Sequence, residues 1–205
     1  YIRSQGAFPS CKGYYGFPAT ICASVNEEVV HGIPGHRKLK DGDIISIDLV
    51  VNKNAYHGDS TVTLPIGHVD PKTLQLLKVT KECLYKGIEQ AVAGNHLGDI
   101  GHAVQAYAES FGYGVVRDYV GHGIGSDMHE DPEVPNYGLA GHGELLEPGM
   151  VLAIEPMICM GTEKTHQLKN GWTVVTRDSK PAAHFEHTVA ITENGPDILT
   201  LPSHG

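Results

Sequence analysis

The stretch IDLVVNKNAYHGDS (residues 47–60) decides the fold, because it predicts a β-hairpin that carries two aspartates. Apolar and polar residues alternate before Lys53, and β-branched and aromatic residues resume after Asn54. Such alternation is typical of half-buried strands. With Lys53-Asn54 as a two-residue loop, Asp48 would lie directly opposite Asp59, with Cβ atoms about 4.5–5.5 Å apart.

Two carboxylates at one point need a physical reason. Like charges directly opposite each other destabilise a sheet, so the pair would share either a proton or a cation. The alternative is a shifted register in which both side chains face water. The hairpin alone leaves both interpretations open.

Composition narrows the class of protein. The chain has 205 residues, a length that fits one domain or two tightly fused halves. Its 40% hydrophobic and 19% charged residues are ordinary for a globular protein. Because the sequence contains no linker and no low-complexity tract, we expect one compact domain, residues 1–205. The net charge of −9 argues against DNA as a partner. No apolar run approaches the ~20 residues of a membrane span. The four cysteines form no CxxC pair, which predicts a reducing, cytoplasmic location.

Helical periodicity lies between groups of strand-like segments. One helix is predicted for residues 71–94, beginning at Pro71 and ending at Gly94, and a second for residues 99–111, with Asp99 as its N-cap. Further strands are predicted in residues 114–125, 150–158, 170–175 and 185–195. Helices inserted between strand groups predict an α+β fold with a mostly antiparallel sheet.

Three more polar residues, His122, Glu155 and Glu186, interrupt otherwise apolar strand segments. A buried carboxylate is costly unless it is paired or bound to a cation. One alternative is therefore a buried ion pair of Glu155 or Glu186 with Arg117 or Arg177. With the two aspartates, however, the set is rich in oxygen and has one nitrogen, which favours divalent ions. Two ions ~3.5–4 Å apart are typical of metal-assisted hydrolysis.

Several segments occur in a defined order over nearly the whole chain: HGIPG (31–35), DGDIISIDLVV with HGDSTVT, GHGIG with MHEDPEVPNYG, PGMVLAIEPM and FEHTVAIT. In this order they resemble type I methionine aminopeptidase. The resemblance implies the pita-bread fold, with pseudo-two-fold αβ halves around a curved sheet. We expect one catalytic domain without the family's leading N-terminal helix.

The resemblance also implies an activity, which is removal of the initiator methionine from the N-termini of nascent polypeptides. The cofactors would be two divalent metal ions, of cobalt, manganese, iron or zinc. A water or hydroxide between the ions would attack the first peptide bond. The expected enzyme is a cytoplasmic monomer, with the ribosome as a candidate partner.

Metal ligands follow from the resemblance position by position. Asp59 and Glu186 would bridge the two ions. Asp48 would chelate one ion, and His122 with Glu155 would complete the other.

Other residues would act on the substrate. His129 would contact the scissile carbonyl, His31 would lie near the nitrogen of the scissile bond, and Glu155 would carry the proton. The methionine pocket would be formed by Cys11, Tyr14, Phe17, Cys22, Met128 and Trp172.

Two rival functions use the same scaffold. One is an enzyme with another substrate, either a proline-directed aminopeptidase or a creatine-type hydrolase, and such enzymes usually carry a large extra N-terminal domain. The other is a non-catalytic binding module that has lost its ligands. Metal content and turnover of a Met-Ala-Ser peptide would separate these functions from methionine removal.

Overall fold

The computed structural model describes residues 1–201, so residues 202–205 of the expected domain lie outside the described residues. The helices are α1 (Pro71–Ile88) and α2 (Leu97–Ser110), and short 3₁₀ turns cover Ile2–Gln5 and Tyr14–Gly16. The strands are β1 (Phe8–Pro9), β2 (Cys22–Val25), β3 (Glu28–Val30), β4 (Ile44–Lys53), β5 (Tyr56–Pro65), β6 (Gly114–Val115), β7 (Gly121–Gly123), β8 (Glu130–Val134), β9 (Val151–Ile154), β10 (Met157–Cys159), β11 (Thr165–Gln167), β12 (Val174–Thr176), β13 (Ala182–His184), β14 (Glu186–Thr192) and β15 (Gly195–Ile198).

The largest sheet has the order β1-β4-β5-β14-β9-β7-β8, with β2 added beside β4 and β15 beside β14. Two three-stranded sheets, β13-β10-β6 and β11-β12-β3, complete the described strands. The pairings are antiparallel. This arrangement confirms the predicted α+β class with a mostly antiparallel sheet.

Both predicted helices exist, and the first one begins where the sequence indicated. The Asp70 side chain accepts a hydrogen bond from the Lys72 N–H, and Pro71 occupies the first turn, as is typical of a helix start. The predicted end at Gly94 is wrong, because the helix ends at Ile88 and turns follow it. Neither helix of the described residues has the length and apolar character that crossing a bilayer requires.

The second helix begins earlier than predicted. Asp99 is not the N-cap but lies inside the first turn, where its carboxylate accepts a hydrogen bond of 2.7 Å from the His96 N–H. The buried face carries Ile100, Val104 and Ala108. These side chains join the main hydrophobic core between the helices and the large sheet.

Two predicted strands are broken. Residues 114–125 form β6 and β7 with turns between them, and residues 150–158 form β9 and β10. The second break lies at Glu155-Pro156, where proline lacks the N–H that a sheet ladder requires. Glu155 therefore sits at the end of β9, outside regular pairing.

The hairpin of β4 and β5 turns at Asn54-Ala55, one residue later than predicted. Both residues have positive φ, 54° and 67°, as a type I′ turn requires. Lys53 therefore pairs with Tyr56 instead of entering the loop.

This turn changes the pairing of the two aspartates. Asp48 pairs with Thr61, and Asp59 pairs with Val50, so the prediction that the aspartates lie directly opposite each other is wrong. The register differs from the predicted one by an even number of residues. Because side chains alternate with period two, both carboxylates stay on the same face as diagonal neighbours.

Candidate metal centre

Neighbouring strands of the large sheet each deliver one predicted ligand. Asp48 lies on β4, Asp59 on β5, Glu186 on β14, Glu155 at the end of β9 and His122 on β7, which are adjacent in the sheet order. All five residues line one cavity of about 240 Å³. Strand order therefore brings together residues that are far apart in the chain.

One row of side chains crosses four strands. Cys22 pairs with Asp48, Asp48 with Thr61, and Thr61 with Glu186. The Thr61 hydroxyl donates a hydrogen bond of 2.7 Å to Oε2 of Glu186. Thr61 thus holds one oxygen of Glu186 while the other oxygen, Oε1, has no hydrogen-bond partner among the described residues.

A second row lies two residues away on the same face. Thr188 pairs with Ala153, and Ala153 pairs with His122. The Asp59 N–H donates to the Thr188 hydroxyl at 2.9 Å, and that hydroxyl donates to the Asp59 carbonyl at 2.9 Å. Asp59 is thereby fixed on one side of the cavity and His122 on the other.

His122 has a defined orientation. Its Nδ1 lies 2.8 Å from the Gly123 carbonyl, so Nδ1 carries the proton and Nε2 is a hydrogen-bond acceptor. Nε2 faces Oδ2 of Asp59 at 3.8 Å and Oε1 of Glu155 at 3.6 Å. Three acceptors directed at one another need a proton or a cation between them, and a neutral imidazole held in this way is ready to bind a metal.

The electrostatics of the centre favour a cation. Burial, reinforced by neighbouring carboxylates, raises the pKa of Asp59, Glu155 and Glu186 well above the usual range. Burial also raises the pKa of Asp48 and lowers the pKa of His122 to about 4. Asp59 Oδ1 is buried and has no hydrogen-bond partner within residues 1–201. Oxygen-rich donors with one neutral imidazole fit a divalent ion.

The alternative of buried arginine pairs is wrong. Arg177 donates through Nε to the Thr165 carbonyl at 3.0 Å, and Arg117 lies over the Tyr137 ring at 4.9 Å. Over residues 1–201, the Lys and Arg ion pairs involve other carboxylates. The carboxylates of the centre therefore lack a basic side chain that could compensate them.

His129, just before β8, lies beside the centre. Its ring is 4.2 Å from the ring of His122, and its Nδ1 lies 2.7 Å from the hydroxyl of Tyr14. Burial lowers the pKa of His129. A neutral, oriented imidazole at this place can donate a hydrogen bond to a bound substrate.

His31 reaches the cavity from a strained backbone. Its φ is 58°, a region that non-glycine residues rarely adopt and that is often found at functional sites. Its ring packs edge-on against Tyr119 at 5.8 Å and against Trp172 at 6.5 Å. Burial lowers the pKa of His31 to about 4, so the ring is neutral.

The predicted methionine pocket adjoins the metal centre. Its buried members cluster around Val50, and Phe17 meets the ring of Trp172 edge-on at 5.1 Å. All six predicted pocket residues line the cavity of the carboxylates: Cys11, Tyr14, Phe17, Cys22, Met128 and Trp172. Sulfur and aromatic walls suit an apolar thioether.

His184 and Tyr119 belong to the site although the sequence pattern did not predict them. His184 is 2% exposed, and its Nε2 lies 3.2 Å from Oε2 of Glu155. The period-two spacing between His184 and Glu186 was a usable signal, because alternate residues of a strand share a face. Tyr119 also lines the cavity, and nothing in the sequence pattern marked it.

Comparisons with known proteins agree with this geometry. Residues 1–193 match metallopeptidase family M24. A methionine aminopeptidase of Clostridium acetobutylicum is 60% identical over 202 residues, which cover 98% of this chain and 81% of that protein. Methionine aminopeptidase 1 of Bacillus subtilis is 58% identical, with coverage of 98% and 81%.

A solved structure shows the same fold. The crystal structure of methionine aminopeptidase from Rickettsia prowazekii matches with a TM-score of 0.96 and 46% identity, over 98% of this chain and 81% of that chain. This match confirms the expected pita-bread fold. The family and the cluster of ligand-type residues together indicate the use of divalent metal. The chain belongs to metallopeptidase family M24 and, within it, to the methionine aminopeptidases.

Proposed function

We propose that the protein removes N-terminal methionine from polypeptides and that nascent chains are its substrates. The observation that carries this proposal is the position of an uncompensated carboxylate and imidazole cluster at the side of a sulfur-lined and aromatic pocket. The pocket would hold the first side chain while the cluster faces the first peptide bond. Relatives named methionine aminopeptidase support the same substrate.

The proposal includes two metal positions. Within residues 1–201, two groups of side chains have donor atoms close enough to hold an ion, namely Asp59 with His122 and Glu186, and Glu155 with His184 and Glu186. Glu186 belongs to both groups, which supports a bridging role, and Asp48 completes the set. Cobalt, manganese, iron and zinc ions all suit these donors. When bound, such ions polarise a carbonyl and make water a stronger nucleophile.

The other residues would act directly on the substrate. The His129 imidazole would donate a hydrogen bond to the oxygen of the scissile carbonyl as negative charge develops there. Glu155 would accept a proton from the attacking water and return it to the leaving amine. His31 would lie near the nitrogen of the scissile bond.

Selection of the first residue would come from the pocket walls. Phe17, Trp172 and the two cysteines offer no charged partner, so a charged first side chain would lose its hydration without compensation. An apolar pocket separates similar aliphatic side chains by only ~1–3 kcal/mol. We therefore expect norleucine to be a good substitute for methionine.

The proposal also covers the location, the oligomeric state and the partners of the enzyme. The enzyme would be a cytoplasmic monomer with one catalytic domain over residues 1–205, and it would meet its substrates at the ribosome. The net charge of −9 supports an enzyme that binds neither DNA nor anionic membranes.

One experiment tests the activity and the cofactors together. Metal-free protein is reconstituted with cobalt, manganese, iron or zinc, and metal content and cleavage of Met-Ala-Ser, norleucine-Ala-Ser, Lys-Ala-Ser and Pro-Ala-Ser are measured. We expect metal-dependent release of methionine and norleucine. Faster cleavage of the lysine or proline peptide than of the methionine peptide would refute the assignment, and metal binding without cleavage of any peptide would support a non-catalytic module.

A further inference from the structure

The two carboxylate oxygens of Glu155 face two different histidines. Oε1 lies 3.6 Å from Nε2 of His122, and Oε2 lies 3.2 Å from Nε2 of His184. Since Nε2 of His122 is an acceptor, it cannot donate a hydrogen bond to Glu155. Among the described residues, His184 offers the one side-chain donor close to Oε2. One oxygen of the Glu155 carboxylate therefore faces a proposed metal ligand, and the other faces His184, which has no assigned role.

The backbone holds His184 firmly in this place. Its N–H donates to the Thr63 hydroxyl at 2.9 Å, and that hydroxyl donates to the His184 carbonyl at 2.7 Å. Ser46 bonds to the same hydroxyl at 2.8 Å. On the other side, His184 pairs with Met157 of β10, the strand that follows Glu155. With the main chain fixed on both sides, the buried imidazole has little freedom to leave Glu155.

We propose that His184 is a positioning residue that donates its Nε2–H to Oε2 of Glu155 and so keeps Oε1 directed at the metal position beside His122. This inference rests on the proposed metal-binding role of Glu155. Hydrogen-bonded partners behind metal ligands commonly change metal affinity by about 10–100-fold. Donation would also satisfy a buried polar atom, because Nε2 of His184 lies 3.2 Å from Oε2 of Glu155 but has no hydrogen-bond partner within residues 1–201.

Direct ligation is the competing role for His184. Its Nε2 lies close enough to Glu155 and Glu186 to share an ion with them. Ligation requires a bare Nε2, whereas the proposed hydrogen bond requires a protonated one. A glutamine separates the two roles, since its amide nitrogen can replace the imidazole Nε2–H as a donor but does not replace it as a nitrogen ligand.

The test uses His184→Gln and His184→Leu in the complete protein. Metal-free samples are titrated with Co²⁺ by calorimetry, and the visible spectrum of the Co²⁺ form and the Tm of the metal-free form are recorded. We expect His184→Leu to weaken Co²⁺ binding by about 10–100-fold. We expect His184→Gln to have the same Co²⁺ affinity and the same visible Co²⁺ spectrum as the protein without substitutions.

His187→Gln and His187→Leu are the matched controls, because His187 is a nearby histidine whose Nδ1 bonds to the Thr200 hydroxyl at 2.8 Å and does not face Glu155. If both His184 variants bind Co²⁺ more weakly to the same extent and show an altered Co²⁺ spectrum, His184 is a direct ligand and the proposal is overturned. Unchanged Co²⁺ affinity in both variants would also overturn the proposal. A protein that binds Co²⁺ as expected but cleaves no peptide would refute the proposed function and leave the role of His184 standing. If the protein without substitutions binds no Co²⁺, both the proposed function and the proposed role of His184 are refuted.

Discussion

The hydroxyl of Tyr14 lies 2.7 Å from Nδ1 of His129 and thereby joins the wall of the side-chain pocket to the proposed donor for the scissile carbonyl. If the hydroxyl donates to Nδ1, the imidazole proton must reside on Nε2. That tautomer is the one that can donate from Nε2 to a substrate. The Tyr14 hydroxyl therefore links the wall of the side-chain pocket to the orientation and the tautomer of His129.

Replacing Tyr14 by Phe should therefore affect turnover more than binding. The ring remains in the pocket, but the hydrogen bond to His129 is lost, and a net loss of about 1–1.5 kcal/mol corresponds to roughly a tenfold lower kcat. Steady-state kinetics on Met-Ala-Ser should show little change in KM. Tyr15→Phe is the control, because Tyr15 is 87% exposed. Equal kcat values for the two variants would contradict the connection.

His129→Ala should lower kcat by about 10²–10³-fold, since removal of a donor to a developing oxyanion has effects of this size. KM and bound metal, measured by elemental analysis, should change little because His129 is not among the proposed ligands. Near-full turnover in this variant, or loss of activity only through loss of metal, would exclude the proposed role.

Asp59→Asn should remove bound metal, whereas His57→Ala should not. Asp59 is buried in the cavity, and its Oδ1 has no hydrogen-bond partner in the part of the chain that the structure describes. His57 is close in sequence, but its main-chain N–H bonds to the Gly125 carbonyl at 2.8 Å and its side chain does not line the same cavity. Elemental analysis after equilibration with Co²⁺ or Mn²⁺ measures the difference. Equal metal content in both variants would argue against a bridging role for Asp59.

Glu186→Gln should stabilise the metal-free protein at neutral pH. Burial, followed by repulsion from Glu155 and Asp48, raises the pKa of Glu186 in the folded state. A raised carboxyl pKa means that the folded state binds the proton more tightly than the unfolded state does. Its ionisation therefore weakens the fold as pH rises above the unfolded value of about 4.3.

The amide of Glu186→Gln does not ionise, so the destabilisation caused by a buried charge is absent. Its oxygen can still accept the hydrogen bond from the Thr61 hydroxyl. At pH 7 we expect the variant to have the higher Tm of the two metal-free proteins, because burial raises the pKa of Glu186 in the folded state. The gain should shrink as the pH falls towards 4, where the wild-type carboxyl is protonated. Thermal unfolding of metal-free protein across this range is the measurement. Glu193→Gln, on the exposed turn after β14, should show no such pH-dependent gain.

Residue pattern alone predicted that several polar side chains would meet at one place in the sheet. Glu155 and Glu186 were recognisable because a carboxylate in an apolar strand is costly. The shared face of Asp48 and Asp59 also followed from the sequence, because an even shift of register preserves strand faces. The turn itself was misplaced, since Ala55 adopts a positive φ that its residue type rarely favours.

Other features depend on contacts that no local pattern contains. The hydrogen bond from Thr61 to Glu186 exists because β5 and β14 are neighbours in the sheet. The contact of His184 with Glu155 depends on the break at Pro156, which separates β9 from β10. Tyr119 reaches the cavity from a turn between β6 and β7. Tertiary packing, not residue type, gives these side chains their place.

The delivery of one proposed ligand by each of β4, β5, β14, β9 and β7 has a consequence for folding. No hairpin or fragment contains enough donors to bind an ion tightly, so binding energy becomes available only after strands distant in sequence have paired. Metal at a hundred times its Kd would then add about 2.7 kcal/mol to the free energy of unfolding. Because that gain belongs to the assembled sheet, slower amide hydrogen exchange should extend along all five strands instead of remaining beside the ions.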